Sequence, residues 1–244
     1  MPAPSRDPEE GEPMDRHETF DRDQVRARIA RFAGQMERRL AGEITEEQFR
    51  PLRRANGVSL ELHSYRLRVG VPEGALDARQ LRMLAHVARR YDKGYCRFTA
   101  HGTVEFHWPS LIDIPAILTD LATVRMQAVA VLDDGLSDEG SARHLDDGGA
   151  VTISLVAAGG MPGAISAGQL EAVADLAERY GSGEVRAGYG QTLILPNVAP
   201  AALTAVHAAL AAIGLATASP ADTRSRSIPQ PSREPFHVDE AKAA

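Results

Sequence analysis

Apolar residues recur at every third or fourth position in two stretches of the chain, "ARQLRMLAHVARRY" and "AGQLEAVADLAERY". This spacing places them on one face of an α-helix, so it predicts an amphipathic helix in each stretch. A residue that can cap the helix, Asp77 or Ser166, stands directly before each one. The predicted apolar faces consist of Leu81, Leu84, Ala85 and Ala88 in the first helix and of Leu170, Val173, Ala174 and Ala177 in the second.

The two helices belong to an internal repeat. Segments 78–106 and 167–195 align without a gap, and every matched pair is 89 positions apart. Two long copies indicate a domain duplication, whereas a solenoid would have a much shorter period. The identical pairs include Gln80 and Gln169, Leu81 and Leu170, Tyr91 and Tyr180, Gly94 and Gly183, Arg97 and Arg186, and Thr103 and Thr192.

Each copy has the same predicted order of elements. A strand comes first, in "SYRLRVGVP" or "AVTISLVAA", and a Gly/Pro turn connects it to the helix. A turn containing glycine leads to a second strand, which ends at Pro109 or Pro196, and a second helix follows in "IDIPAILTDLATV" or "APAALTAVHAALAAIG". This order predicts an α+β fold in which helices cover one face of each small sheet and the two units pack as a pseudo-twofold pair.

The second strand of the first copy is predicted from "YCRFTAHGTVEFHWP". Its side chains alternate, so one set faces one side of the sheet and the other set faces the opposite side. The pattern weakens at His101, Gly102 and Thr103, and Phe106 and Trp108 are predicted core residues. The alternating sets are Cys96, Phe98 and Ala100 against Arg97, Thr99 and His101.

A helical arm precedes the repeat. Helical spacing in "DRDQVRARIARFAGQMERRLA" predicts a first helix capped by Asp21 or Asp23, and "TEEQFRPLRR" predicts a second helix capped by Thr45. Composition then sets the remaining boundaries, because Pro-rich and acidic stretches are typical of disorder and linkers. The predicted organisation is disorder in 1–20, the arm in 21–56, a first half-domain in 57–132, a linker in 133–149, a second half-domain in 150–216 and a disordered tail in 217–244.

Charge and composition exclude several classes of protein. The 244 residues carry a net charge of −6, so there is no basic field to attract nucleic acid or an anionic membrane. The acidic, Pro-rich beginning does not have the pattern of a signal peptide, and no apolar run reaches the roughly 20 residues of a bilayer span. We therefore expect a cytoplasmic protein.

The body of the chain resembles the hemoprotein subunit of the siroheme-dependent sulfite and nitrite reductases. The resemblance rests on "EEQFRPLRRANGVSLELHSYRLRVGVPEGALDARQLRMLAHVARRYDKGYCRFT", "VEFHWPSLIDIPAILTDLATVRM" and "VTISLVAAGGMPGAISAGQLEAVADLAERYGSGEVR", and it covers most of residues 20–215. It implies two ferredoxin-like half-domains related by a pseudo-twofold axis. In that family, larger domains that hold siroheme and a [4Fe–4S] cluster follow each half-domain.

The resemblance also shows what this sequence lacks. A short acidic linker, not a siroheme domain, joins the two copies, and the single cysteine, Cys96, cannot supply the four thiolates of a [4Fe–4S] cluster. Reduction of sulfite or nitrite needs both groups, because protein side chains have no such redox chemistry. We therefore predict no catalytic residues, no metal site and no cofactor for this chain alone.

Four positions correspond to residues that face siroheme or the substrate anion in the family: Arg68, Arg97, His101 and Gln191. The family sequence Thr-x-Arg-Gln-Asn/Thr has become Thr99-Ala100-His101-Gly102-Thr103 here, which replaces a permanent positive charge by a mostly neutral imidazole. In the second copy, only Gln191 is retained from the family pattern. Arg68 has either a structural role or a residual contact with an anion, and Arg97 with its counterpart Arg186 adds positive charge.

Other candidate sites have simpler explanations. The histidines do not have the spacing of a zinc site. Gly188 and Gly190 lie within a predicted strand, unlike the glycines of a dinucleotide fingerprint. Cys96 is interpreted as a buried, unreactive thiol.

Three hypotheses for function follow. The chain is a reductase-like protein that is not catalytic alone, a module that binds a tetrapyrrole or an anion or docks on a reductase subunit, or a subunit that completes a reductase with another polypeptide. Precorrin-3B synthase shares the half-domains, but the same objection about the cluster cysteines applies to it.

Overall fold

The computed structural model describes residues 20–100, 102–131, 150–155, 161–188 and 191–217. Its elements up to residue 131 are α1 (Arg22–Leu40), α2 (Glu46–Ala55), β1 (Val58–Glu61), β2 (Ser64–Gly70), β3 (Ala75–Asp77), α3 (Ala78–Tyr91), β4 (Tyr95–Phe98), β5 (Thr103–Phe106) and α4 (Ile114–Thr123). Those that follow are β6 (Val151–Ser154), β7 (Ala164–Ser166), α5 (Ala167–Tyr180), β8 (Glu184–Gly188), β9 (Thr192–Leu195), α6 (Leu203–Ala212) and β10 (Ala216–Thr217).

The predicted helices and their caps are confirmed. Of the two candidate caps of α1, Asp21 is the one used, since its carboxylate accepts hydrogen bonds from two backbone N–H groups. Thr45, Asp77 and Ser166 cap α2, α3 and α5, and a glutamine three residues after each completes a capping box.

The strands form two five-stranded antiparallel sheets in the orders β1-β2-β5-β4-β7 and β10-β6-β9-β8-β3. Each copy therefore contributes one short strand to the sheet of the other copy, a reciprocal strand exchange that the sequence did not predict. The register is symmetric: Leu76 pairs with Val185, and its counterpart Ile165 pairs with Cys96, the counterpart of Val185. This symmetry confirms the pseudo-twofold arrangement of two ferredoxin-like half-domains in an α+β fold.

A glutamine links the two helices of each half. Gln80 donates from Nε2 to the carbonyl of Val124 at 3.0 Å, and Gln169 donates to the carbonyl of Ile213 at 2.9 Å. Both carbonyl groups lie just beyond the second helix of their half, where backbone acceptors have no helical partner. The identical glutamines of the repeat thus have identical structural roles.

Two sequence predictions for the second strand are wrong. The stretch from Tyr95, which was predicted to be one strand, is a hairpin of two strands, β4 and β5. The chain reverses between them, where Gly102 has a φ of +72° and the Thr99 N–H donates to the Thr103 carbonyl at 2.8 Å. Phe106 is buried as predicted, but the side chain of Trp108 remains 48% exposed. Trp108 lies beyond the end of β5, where the Lys93 ammonium stands 3.4 Å from its ring centroid.

One continuous core joins the arm and both halves. It includes the predicted apolar faces of α3 and α5, and Phe32 and Phe49 of the arm stack in it with ring centroids 6.1 Å apart. Cys96 is fully buried, and burial raises the pKa of its thiol, as expected of an unreactive cysteine. None of the helices in the described part of the chain is long and apolar enough to cross a membrane.

Candidate functional site

Charged side chains gather on the face of the first sheet that is turned away from the core. Alternate residues of β2, β4 and β5, such as Leu67, Phe98 and Val104, are buried in the core. The intervening side chains therefore share the opposite face, because successive residues of a strand point to opposite sides. We call this surface the polar face, and it consists of Arg66, Arg68, Arg97, Thr99, Thr103, Glu105 and His107.

Glu105 lies at the centre of the polar face. It is the direct strand partner of Arg68 on one side and of Arg97 on the other. Its side chain is only 3% exposed, so its carboxylate requires compensation by cations. Arg68 provides this by donating from Nε and Nη2 to Oε1 of Glu105, at 3.2 and 2.9 Å.

Arg66 and His107 face the other carboxylate oxygen. Nη1 of Arg66 and Nε2 of His107 each lie 3.7 Å from Oε2 of Glu105, and Arg66 also pairs with the exposed Glu61. Nε2 of His107 is buried without a hydrogen-bond partner in the described structure. Burial lowers the pKa of His107 below 6.5, and the charge of Arg66 lowers it further, while the carboxylate of Glu105 acts in the opposite direction.

A tight turn links Arg97 to Gln191. Arg97 donates from Nε to the carbonyl of Pro162 at 3.0 Å. A Cβ atom on the next residue, Gly163, would lie 3.3 Å from the Cγ atoms of both Arg97 and Gln191. The turn at residues 161–164 therefore brings together two of the predicted site residues that stand far apart in the sequence.

The charge cluster is confined to the first sheet. By strand pairing and the 89-residue offset, the counterparts of Arg68, Glu105 and His107 are Thr152, Ile194 and Pro196. Only Arg97 has a charged counterpart, Arg186, whose Nε donates to Glu184 at 3.0 Å. The duplicated halves have thus diverged in the chemistry of this face.

The structure therefore brings Arg68 and Arg97 together around Glu105 and places Gln191 next to Arg97, whereas His101 lies outside the described residues. Sequence reasoning missed Arg66, Glu105 and His107. The period-2 alternation of "TVEFHW" would have placed Glu105 and His107 on the same side as Arg97. No group of three or more His, Cys, Asp or Glu residues in the described ranges is arranged to hold a metal ion.

Comparison with known families decides the relationship of the chain. The "Nitrite/Sulfite reductase ferredoxin-like half domain" matches it twice, at residues 61–124 and 146–213, which is more than half of the sequence. The chain belongs to this family. No curated protein shows significant sequence similarity to it.

A solved structure has the same fold as this nitrite/sulfite reductase-like chain. The NirA protein of Mycobacterium tuberculosis superposes with a TM-score of 0.58 and 16% sequence identity, over 80% of this chain and 68% of that one. At this level of identity, the likeness concerns the fold alone. The resemblance deduced from the sequence is nevertheless confirmed at the level of the family by the two matched half-domains.

Proposed function

We propose that this nitrite/sulfite reductase-like chain binds an anionic ligand on the polar face and does not reduce sulfite or nitrite alone. The observation that carries the proposal is the pairing of Arg66 and Arg68 with one buried carboxylate, Glu105, while Arg97 lies directly opposite Glu105 on the neighbouring strand. Three guanidinium groups exceed the negative charge of Glu105 and Glu61. Guanidinium groups bind carboxylates and oxyanions through fixed, charge-assisted hydrogen bonds.

The donor chemistry of the chain supports the second half of the proposal. A [4Fe–4S] cluster requires four cysteine thiolates, and the sequence contains only Cys96, which is fully buried and whose pKa is raised. The residues present therefore do not fit that cluster. Residues 125–145, between the two matched segments, are also too few to form a siroheme-binding domain.

Two kinds of anion share the chemistry that the polar face would recognise: a small inorganic oxyanion and a tetrapyrrole with carboxylate side chains. Isothermal titration calorimetry with sulfate and with uroporphyrin I distinguishes them. If the proposal is correct, Arg68→Gln and Arg97→Gln each weaken binding by about 10- to 150-fold, since a charged hydrogen bond contributes about 1.5–3 kcal/mol.

The control is Arg26→Gln, which removes the same charge from a side chain of α1 that is 83% exposed, and which should leave binding unchanged. Lack of binding by both anions would contradict the proposal. Protein purified from a siroheme-producing host should show neither a Soret band nor stoichiometric iron. Turnover of sulfite or nitrite by this preparation would refute the non-catalytic part.

A further inference from the structure

His107 contributes the one buried side-chain nitrogen or oxygen in the described structure that has no hydrogen-bond partner, Nε2. A buried polar atom without a partner destabilises a fold, so it is an exception that needs a reason. The backbone that carries the ring is anchored, because the N–H groups of His107 and Trp108 both donate to Oδ2 of Asp92, at 2.8 and 3.2 Å. Nε2 lies 3.7 Å from Oε2 of Glu105, slightly beyond hydrogen-bond distance.

We propose that His107 couples proton uptake to anion binding on the polar face. When its ring is protonated, the imidazolium donates to Oε2 of Glu105 and shares the carboxylate with the two arginines. Arg66 and Arg68 are then available to an incoming anion. The inference rests on the proposed function, because it describes how that same site is regulated.

In the structure, Glu105 acts as an internal anion. Arg68 is bound to Oε1, and Arg66 faces Oε2 at the same 3.7 Å as His107. An external anion must compete with this carboxylate for both guanidinium groups, and at Arg66 it must also compete with the exposed Glu61. When protonated His107 donates to Oε2, Glu105 holds the arginines less strongly, and the polar face gains one positive charge.

The surroundings of His107 set the direction of the coupling. Arg66 on β2 and Arg97 on β4 oppose its protonation, whereas Glu105 on its own strand and Asp92 in the turn before β4 favour it. An anion bound to the arginines reduces their repulsion of the imidazolium. Proton and anion therefore strengthen each other's binding, and linkage requires the two effects to be equal.

The experiment measures sulfate affinity by calorimetry between about pH 7.5 and pH 5.5, in buffers of different ionisation enthalpy. Sulfate is chosen because its charge is constant in this range, unlike that of sulfite or phosphate. We expect binding to tighten about fivefold at the lower pH, at the low end of typical coupling between two sites. The buffer series should show net proton uptake on binding.

His107→Gln should abolish both the pH dependence and the proton uptake, while the control His63→Gln, on the exposed turn between β1 and β2, should retain them. An NMR titration of His107 in the unaltered chain gives a second readout, since saturating sulfate should raise its pKa. Arg68-dependent binding that does not change with pH would overturn this inference and leave the proposed function intact. Absence of sulfate binding at every pH would overturn the inference, and absence of uroporphyrin binding as well would overturn the proposed function.

Discussion

Gly163 occupies a position that has no room for a side chain. Its φ is +83°, and a Cβ atom there would lie 2.2 Å from the carbonyl oxygen of Phe98. That close approach is needed because the Phe98 N–H donates to the Gly163 carbonyl at 2.9 Å. The same residue separates Arg97 from Gln191, so the geometry of the candidate site depends on the absence of a side chain.

Gly163→Ala should destabilise the protein by about 2–3 kcal/mol, because left-handed backbone and a clash with the main chain each strain the fold. Urea unfolding measures this change. The control is Gly168→Ala in α5, where nothing lies within 4 Å of the added atom and the φ is not positive. There alanine should stabilise the helix by up to about 1 kcal/mol. Equal effects at the two sites would disprove the claim that the backbone at Gly163 excludes a side chain.

His107 makes the stability of the chain depend on pH. The pKa of this ring is lowered by burial and by Arg66 in the folded protein, whereas the unfolded chain keeps a value near 6.5. Below about pH 6.5 the unfolded state therefore binds the proton more readily, so stability is lost as the pH falls towards the folded pKa. Above pH 6.5 the contribution is fully present.

The urea midpoint of the unaltered chain should fall more steeply from about pH 7 to pH 5 than that of His107→Gln. His63→Gln serves again as the reference. Parallel pH profiles for the unaltered chain and His107→Gln would be incompatible with a lowered pKa at this residue.

At the scale of elements, α3 presents positively charged side chains to negatively charged side chains of α5. Arg82 pairs with Glu178 and Asp175, and Arg89 makes a two-pronged pair with Glu171. Arg82 corresponds to Glu171 in the repeat, and Arg89 corresponds to Glu178. The first copy therefore has arginine at both positions and the second copy has glutamate, so the helices attract each other while two identical first copies would repel.

The double change Arg82→Glu with Arg89→Glu should lower Tm, because it places like charges opposite each other. Adding Glu171→Arg and Glu178→Arg should restore Tm, since the charges are then exchanged between the helices. These side chains are exposed to solvent, so the difference should shrink in about 1 M NaCl. Thermal unfolding by circular dichroism measures each effect, and a fourfold variant no more stable than the double variant would count against charge pairing.

At the scale of the whole molecule, neither half is complete without the other. β7 closes the edge of the first sheet and β3 closes the edge of the second, while the core runs continuously through both. The free energy of this shared structure is available only when both halves are folded. The duplicated chain should therefore behave as one cooperative unit.

Differential scanning calorimetry should show a single transition in which the calorimetric and van 't Hoff enthalpies agree. Two separate transitions, each assignable to one half, would show that the exchanged strands contribute little. Proline in place of Ile165 provides a further check, since it removes a backbone donor from the strand that crosses between the halves. The Ile165→Pro substitution should lower the unfolding temperature of both halves together.

The sequence revealed the helices and the duplication because long amphipathic patterns and matched residues such as Gln80 and Gln169 are local signals. It did not reveal β3 and β7, which have three residues each and pair with strands more than 60 positions away. Such short strands have no periodicity of their own, and only tertiary contact defines them.

The candidate site was predictable in part. Arg68 and Arg97 came from the resemblance and from strand alternation, and both lie on the polar face. Glu105 was overlooked because it stands between Val104 and Phe106, which give the segment the composition of a core strand. The contact of Arg97 with the turn at Pro162 depends on the packing of one copy against the other, which no local pattern encodes.

The reciprocal strand exchange also constrains how this polypeptide matures during translation. When only residues up to 131 have left the ribosome, the outer edge of β4 has no neighbour and β3 has no sheet to join. β4 can pair at this edge only after residues 164–166 have been synthesised, and β3 can pair only after residues 184–186 have been synthesised. The nascent first copy must therefore remain unfinished until the second emerges, so the two copies reach their native form together.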